Sequence, residues 1–326
     1  MLELLSGAVS LIIVLLLMPG FIRLMKDRGM IQPRYDLGPD SFKKREKPPN
    51  MGGAVIALAV VVSMLLFSRL SGTSRDLLLL LPALGGLGIG FADDWLKDVR
   101  RHHEGLKPRY KLAGQAAVGL LFAVIAVNLA GSRVHLPFTS ATLDLGWAYV
   151  PLMTLLYVFM TNSANLQDGV DGLMGSVSAA GSAAMGAVAL IIRGGVLGEP
   201  GIAYACFALA GACLGFLYFN RHPARIFMGD TGSMFIGGLL TGAAMLLQLQ
   251  LWLVPLCATM ILSSLSVIAQ RAYFKLTGGK RLIRMSPVHH HFEMVGWSEN
   301  TIARRYTLLV AGLSLLAALA ALPIAG

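Results

Sequence analysis

Long apolar runs separated by short polar stretches occupy the chain from end to end. About 20 apolar residues carry a helix across roughly 30 Å of hydrocarbon. Runs of that kind fall at 4–25, 51–70, 77–92, 112–130, 146–162, 170–192, 200–219, 232–249, 252–275 and 302–325. The pattern predicts an all-α integral membrane protein of about ten transmembrane helices. The third run is short for a span, and the fifth ends in polar residues. Little chain is left for a soluble domain, so a single polytopic domain over 1–326 is expected. Small residues recur inside the runs, as in Gly85, Gly86, Gly88 and Gly90, or Gly181, Ala183, Ala184 and Gly186. Lipid supplies no hydrophobic drive between helices, and small residues let backbones approach closely instead.

Composition supports this reading. The chain is 56% hydrophobic and 13% charged, against about 25% charged for a soluble domain, which excludes a water-soluble globule. A net charge of +10 would point to nucleic acid in a soluble protein; here its distribution carries the information. With the runs above taken as spans, Arg69, Arg75, Arg133 and Arg193 fall on one side of the membrane. Every other Lys and Arg lies in or beside the loops of the opposite side. The positive-inside rule then puts both termini outside and the odd-numbered loops in the cytoplasm, with no nucleic-acid partner. Cys206, Cys213 and Cys257 all sit in apolar runs without a CxxC pair, so they read as small packing residues. The N-terminus has no basic n-region, and no small-residue cleavage site follows its apolar run. The first run is therefore expected to stay as a span.

Four polar clusters gather on the side assigned to the cytoplasm, where ionisable groups at membrane depth are functional candidates. In Phe91-Ala92-Asp93-Asp94-Trp95-Leu96-Lys97-Asp98, a continuing helix would place Asp94 beside Asp98 and Asp93 beside Lys97. Paired carboxylates beside a lysine suit Mg²⁺ and a phosphate. Asn162, Asn165, Asp168 and Asp171 recur every third residue, among glycines that admit a close ligand such as a nucleotide or sugar; the plainer reading is a capped turn. Asp230 lies between Gly229 and Gly232, placed to cap a helix and to offer a carboxylate to a metal, with Phe227 as a base-stacking or interfacial aromatic. His289, His290 and His291 precede Phe292 and Glu293; hydrogen bonding to phosphate fits them better than zinc, for which the usual ligand spacing is missing.

Together, in this order on about ten spans, the clusters resemble the polyprenyl-phosphate N-acetylhexosamine-1-phosphate transferase family. The run Pro287-Val288-His289-His290-His291-Phe292-Glu293, with Met51-Gly52-Gly53 and Lys275-Leu276-Thr277-Gly278-Gly279-Lys280, resembles its peptidoglycan branch. Relatives using UDP-N-acetylglucosamine usually interrupt the histidine motif. The resemblance implies transfer of phospho-MurNAc-pentapeptide from UDP-MurNAc-pentapeptide to undecaprenyl phosphate, giving lipid I and UMP, in the bacterial inner membrane. It also implies Mg²⁺, surrounding membrane lipid and an active site at the cytoplasmic face, and it is compatible with a homodimer.

Carried over by resemblance, Asp93 and Asp94 match the paired catalytic aspartates, Asp230 the magnesium ligand and Lys97 the phosphate-side lysine. Asn165, Asp168 and Asp171 match the nucleotide-pocket segment, Phe227 the uracil-stacking aromatic, Gln270 a nucleoside-side amide, and His289, His290 and His291 the histidine loop. Two departures stand out. The usual Lys-x-Gly-Thr-Pro-Thr is here Arg45-Glu46-Lys47-Pro48-Pro49-Asn50, so Arg45 and Lys47 share the candidacy for its basic role. The usual Asn-Leu-Thr-Asp-Gly is here Asn165-Leu166-Gln167-Asp168-Gly169. A related transferase taking another UDP-N-acetylhexosamine is the alternative, and a transporter, whose polar groups should lie near span midpoints, is the distant one.

Overall fold

The computed structural model describes residues 2–29, 48–71, 75–98, 105–192 and 200–324. Ten helices of 18 residues or more follow the ten predicted runs: α1 (Leu2–Asp27), α2 (Gly53–Ser71), α3 (Leu80–Asp98), α4 (Pro108–Ala130), α5 (Tyr149–Gln167), α6 (Leu173–Ile191), α7 (Gly201–Asn220), α8 (Gly229–Leu246), α10 (Ala258–Leu276) and α12 (Glu299–Ala321). The short helices α9 (Leu253–Leu256) and α11 (Val288–Met294) complete the set, beside an antiparallel hairpin of β1 (Arg133–His135) and β2 (Thr142–Asp144). The molecule is an all-α membrane protein. Among the described residues seven helices are long and apolar enough to cross a membrane, or eight if the bent pair Gln250–Leu256 and Ala258–Leu276 is one span. α5 and α8 fall outside that set because α5 ends in a polar turn and α8 begins with one.

Three boundaries differ from the sequence reading. A 3₁₀ turn, Arg75–Leu79, leads into α3, which runs on to Asp98, so the apparently short third run is a full span with its aspartates inside the last turns. α5 likewise continues through its polar end to Gln167. The ninth run is broken at Cys257 and bends by 88°. Arg45 and Lys47 lie outside the described residues.

α8 is the hub. Every residue in it except Asp230 is buried, with α2, α3, α4, α5, α6 and α7 packed around it. Glycine makes this possible. A Cβ on Gly90 would stand 2.1 Å from the Asp230 carbonyl oxygen, one on Gly86 2.4 Å from that of Met234, and one on Gly238 2.3 Å from that of Pro82. α3 and α8 therefore touch backbone to backbone over three turns. Gly7 and Gly211 do the same for α1 and α7. The three cysteines are free and buried, as packing residues should be. Between α5 and α6 the chain reverses through Gly172, whose φ of +74° is open to glycine and strained for other residues.

Gly90→Ala should force α3 and α8 apart and lower stability by about 1–3 kcal/mol. Gly88→Ala, where an added methyl meets open space, should melt like the parent. Thermal unfolding in detergent checks both, and equal melting of the two variants contradicts the packing account.

Candidate active site

The buried start of α8 lies against the ends of α3, α4 and α5, and carboxylates and ammonium groups converge there. Asp94 accepts from the Asp230 N–H at 3.2 Å, the Thr231 N–H at 2.8 Å and the Thr231 hydroxyl at 2.6 Å. Its carboxylate thus satisfies the first donors of α8, which no residue of that helix could reach. The Asn50 amide donates to Asp94 at 3.3 Å and to Asp98 at 3.0 Å, tying the segment before α2 to the same face. The i, i+4 pairing read from the sequence is present on this helix. Lys97 pairs with Asp93, and Asp94 and Asp98 share Asn50.

Two ammonium groups bridge α3 to α8. Lys97 Nζ lies 3.2 Å from Asp230 while also bonding Asp93, and Lys111 Nζ lies 2.6 Å from Asp230 and 3.6 Å from Asp93. The other Asp230 oxygen accepts from the Asn165 amide at 2.6 Å, and the Leu106 N–H holds Asp93 at 2.7 Å. Beside this cluster opens a cavity of about 400 Å³, lined by Asp93, Lys97 and Lys111 and, on its apolar wall, by Leu106, Pro108 and Leu112. Asp168 caps α5; burial, with the Asp230 and Asp94 carboxylates nearby, pushes its carboxyl up to about 8.

The register of threes does not hold to its end. Asn162 turns to Gln115, whereas Asn165 reaches Asp230. Beyond the break at Asp168, Asp171 joins a separate group, where His222 Nδ1 lies 3.0 Å from Asp171 and 2.9 Å from Glu299. Phe227 is half-buried, its backbone bonded to Pro49 and Gly52. Gln270 is turned toward its own loop, accepting from the Leu282 and Ile283 N–H groups.

The histidines ride on α11. His289 is fully buried against Ser263, and the Val288 N–H bonds the Ser266 hydroxyl. Ser263 also donates to Gln167, so the departure at that position serves as a strut between α5 and α10. His290 bonds Glu293, and His291 accepts from the Arg284 N–H. A Cβ on Gly169 would meet His289 Nε2 at 2.6 Å and His290 Nε2 at 2.9 Å, so glycine there seats both rings beside Asp168. Lys111, Asn50, Thr231 and Gln115 belong to the cluster without having been picked out as site residues. Lys111 had counted only toward loop charge, and the others are ordinary polar residues whose role comes from tertiary placement.

Burial pushes the His289 imidazole down to about 3, and His290 adds to the effect. An unfolded histidine takes up its proton near pH ~6.5. Between those values the unfolded chain binds more protons, so this contribution to stability is full above about pH 6.5 and is lost as pH falls toward 3. His289→Gln should flatten the fall in melting temperature between about pH 6.5 and pH 4; an unchanged slope contradicts the assignment of a neutral, buried ring.

The glycosyl transferase family 4 model matches residues 77–248, more than half of the chain. The phospho-N-acetylmuramoyl-pentapeptide-transferase of Shouchella clausii is 42% identical over 285 residues, covering 86% of each chain. That of Geobacillus kaustophilus is 41% identical over 295 residues, 90% of this chain and 89% of its own. That of Listeria monocytogenes is 40% identical over 296 residues, 90% of each. By this match and these identities, the chain belongs to glycosyl transferase family 4, among the phospho-N-acetylmuramoyl-pentapeptide-transferases.

Proposed function

We propose that the protein transfers phospho-MurNAc-pentapeptide from UDP-MurNAc-pentapeptide to undecaprenyl phosphate, giving lipid I and UMP, the first membrane step of peptidoglycan synthesis. The observation that carries this reading is the convergence of Lys97 and Lys111 on Asp93 and Asp230 beside a cavity with an apolar wall. Two anions, one of them lipid-linked, need positive charge at a point reachable from both water and bilayer. Polar side chains gather at one end of the bundle rather than at span midpoints, which favours a transferase over a transporter. The distribution of Lys and Arg supports a cytoplasmic position for that end, with both termini outside, and the reading assigns the protein to a bacterial inner membrane. One chain supplies the whole cluster.

The donor set fits a divalent cation. Carboxylate oxygens of Asp93 and Asp230 already converge on ammonium groups, so the space between them accepts positive charge, and hard oxygen ligands suit Mg²⁺. Bound there by Asp230, with Asp93 beside it, Mg²⁺ would neutralise charge on the diphosphate. The protein's own groups do the rest. Lys97 and Lys111 hold the two phosphates together against their repulsion and stabilise charge as it develops. Phosphate monoesters lose their second proton near pH ~6, so the lipid phosphate is ionised and needs orientation more than a base. Its oxygen attacks the β-phosphorus in line; the new P–O bond forms as the bond from that phosphorus to the bridging oxygen breaks, and UMP leaves with the electron pair. Asp93 orients the nucleophile through the lysines. Asp94 has both oxygens occupied by the α8 donors and Asn50, which suits a positioning role and not a covalent nucleophile.

UMP release by the purified protein with undecaprenyl phosphate and Mg²⁺ tests the reading. UDP-MurNAc-pentapeptide should support turnover and UDP-GlcNAc should not, with Asp230→Ala and Lys111→Gln each lowering kcat by about 10²–10³. Turnover of UDP-GlcNAc alone would overturn the donor assignment, and a labelled covalent adduct formed without lipid would overturn direct attack.

A further inference from the structure

A second cavity, of about 500 Å³, opens where the far end of α10 meets the loop leading to α11. Arg271, Lys275, Arg281 and Arg284 line it with Gln270 and Phe274, and no carboxylate belongs to its wall. Among the described residues, none of these four cations forms an ion pair. Four like charges crowded into a concavity repel one another, and the arrangement becomes favourable when an anionic group enters.

The wall is also built. Gln270 Oε1 accepts from the Leu282 and Ile283 N–H groups at 2.9 and 3.0 Å, and Arg281 donates to the Arg284 carbonyl at 3.1 Å. Arg284 donates to the Met294 carbonyl at 2.9 Å, while its N–H meets His291 Nδ1 at 3.3 Å. The basic loop and the histidine helix are therefore one piece. Along α10, eight to twelve residues separate Ser263, which touches His289, from Arg271 and Lys275. At 1.5 Å per residue that is about 12–18 Å, the reach of an extended chain of five residues at about 17 Å.

We propose that this pocket binds the carboxylate-bearing end of the donor's peptide, while the nucleotide and sugar lie on the Gly169 side of α11. The proposal rests on the donor assignment above. Phe274, half-exposed at the rim, offers apolar surface to peptide side chains. Anionic lipid headgroups share the carboxylates' charge, and the nearby exposed Leu276 and Leu282 would suit them. The bonds that tie its wall to the histidine helix favour the peptide.

Arg281 and Arg284 hold the loop, so the test uses Arg271 and Lys275, both exposed on α10. The double variant Arg271→Gln, Lys275→Gln is assayed with UDP-MurNAc-pentapeptide and with peptide-free UDP-MurNAc, in nanodiscs with and without phosphatidylglycerol. The preference in kcat/KM for the pentapeptide donor should fall about tenfold, the scale of two partly exposed ion pairs, through KM. The charge-conserving pair Arg271→Lys, Lys275→Arg should restore it. Equal losses on both donors, or no loss, would overturn the proposal, and a loss that appears only with phosphatidylglycerol would assign the pocket to lipid headgroups. If the parent protein turns over neither MurNAc donor, the donor assignment fails and this proposal with it.

Discussion

Backbone contact between α3 and α8 is the constraint on which the rest depends. At Gly90 the two helices come so close that the Asp230 carbonyl occupies the place of a side chain. Only at that separation can a carboxylate near the end of one helix serve the first N–H groups of another. Asp94 does so for Asp230 and Thr231, and the i, i+4 geometry of α3 then presents Asp93 and Lys97 to the same point. A methylene more between the helices would leave the start of α8 with unbonded donors in a region water hardly reaches, at a cost of about 1–3 kcal/mol for each.

Burying so much charge is expensive unless every group is matched, and the matching here is uneven in a useful way. Asp94 is saturated by hydrogen bonds and Asp98 is tied to Asn50, so both are committed to structure. Asp93 and Asp230 are balanced mainly by lysines, whose flexible, compact ammonium groups can turn toward an incoming phosphate as readily as toward a carboxylate. The same four-carbon stems that let Lys97 and Lys111 bridge α3 and α8 let them release those carboxylates. Exchanging one anionic partner for another keeps each ammonium group paired throughout.

The sequence made the helices legible because lipid imposes one rule along the whole chain: about 20 apolar residues per crossing. It marked Asp93, Asp94, Lys97, Asn165 and Asp230 because charge and amide groups at the ends of apolar runs are costly enough to need a reason. It misled where a polar tail looked like a loop. Gln115, Thr161 and Asn162 satisfy one another between α4 and α5, so those turns stay helical despite their composition. Lys111 escaped notice because a lysine beside a span is common; its 2.6 Å contact with Asp230 is a fact of tertiary packing. The spacing of threes that seemed to unite Asp168 and Asp171 breaks at the turn before Gly172, and the two carboxylates serve different groups.

Gly169 shows how the two halves of the site are joined. The glycine follows Asp168 at the end of α5, and the space a side chain would fill is taken by the Nε2 atoms of His289 and His290 from α11. His289 is fully buried, so it acts as a wedge that fixes the angle of its helix, while His290 bonds Glu293 and His291 accepts from the Arg284 N–H. Gln167, one residue before Asp168, completes the seat through Ser263. The longer amide at that position thus preserves the docking of α10 and α11 against α5. The departure from the usual threonine reads as a change in how the joint is braced, apart from the carboxylates and lysines around Asp230.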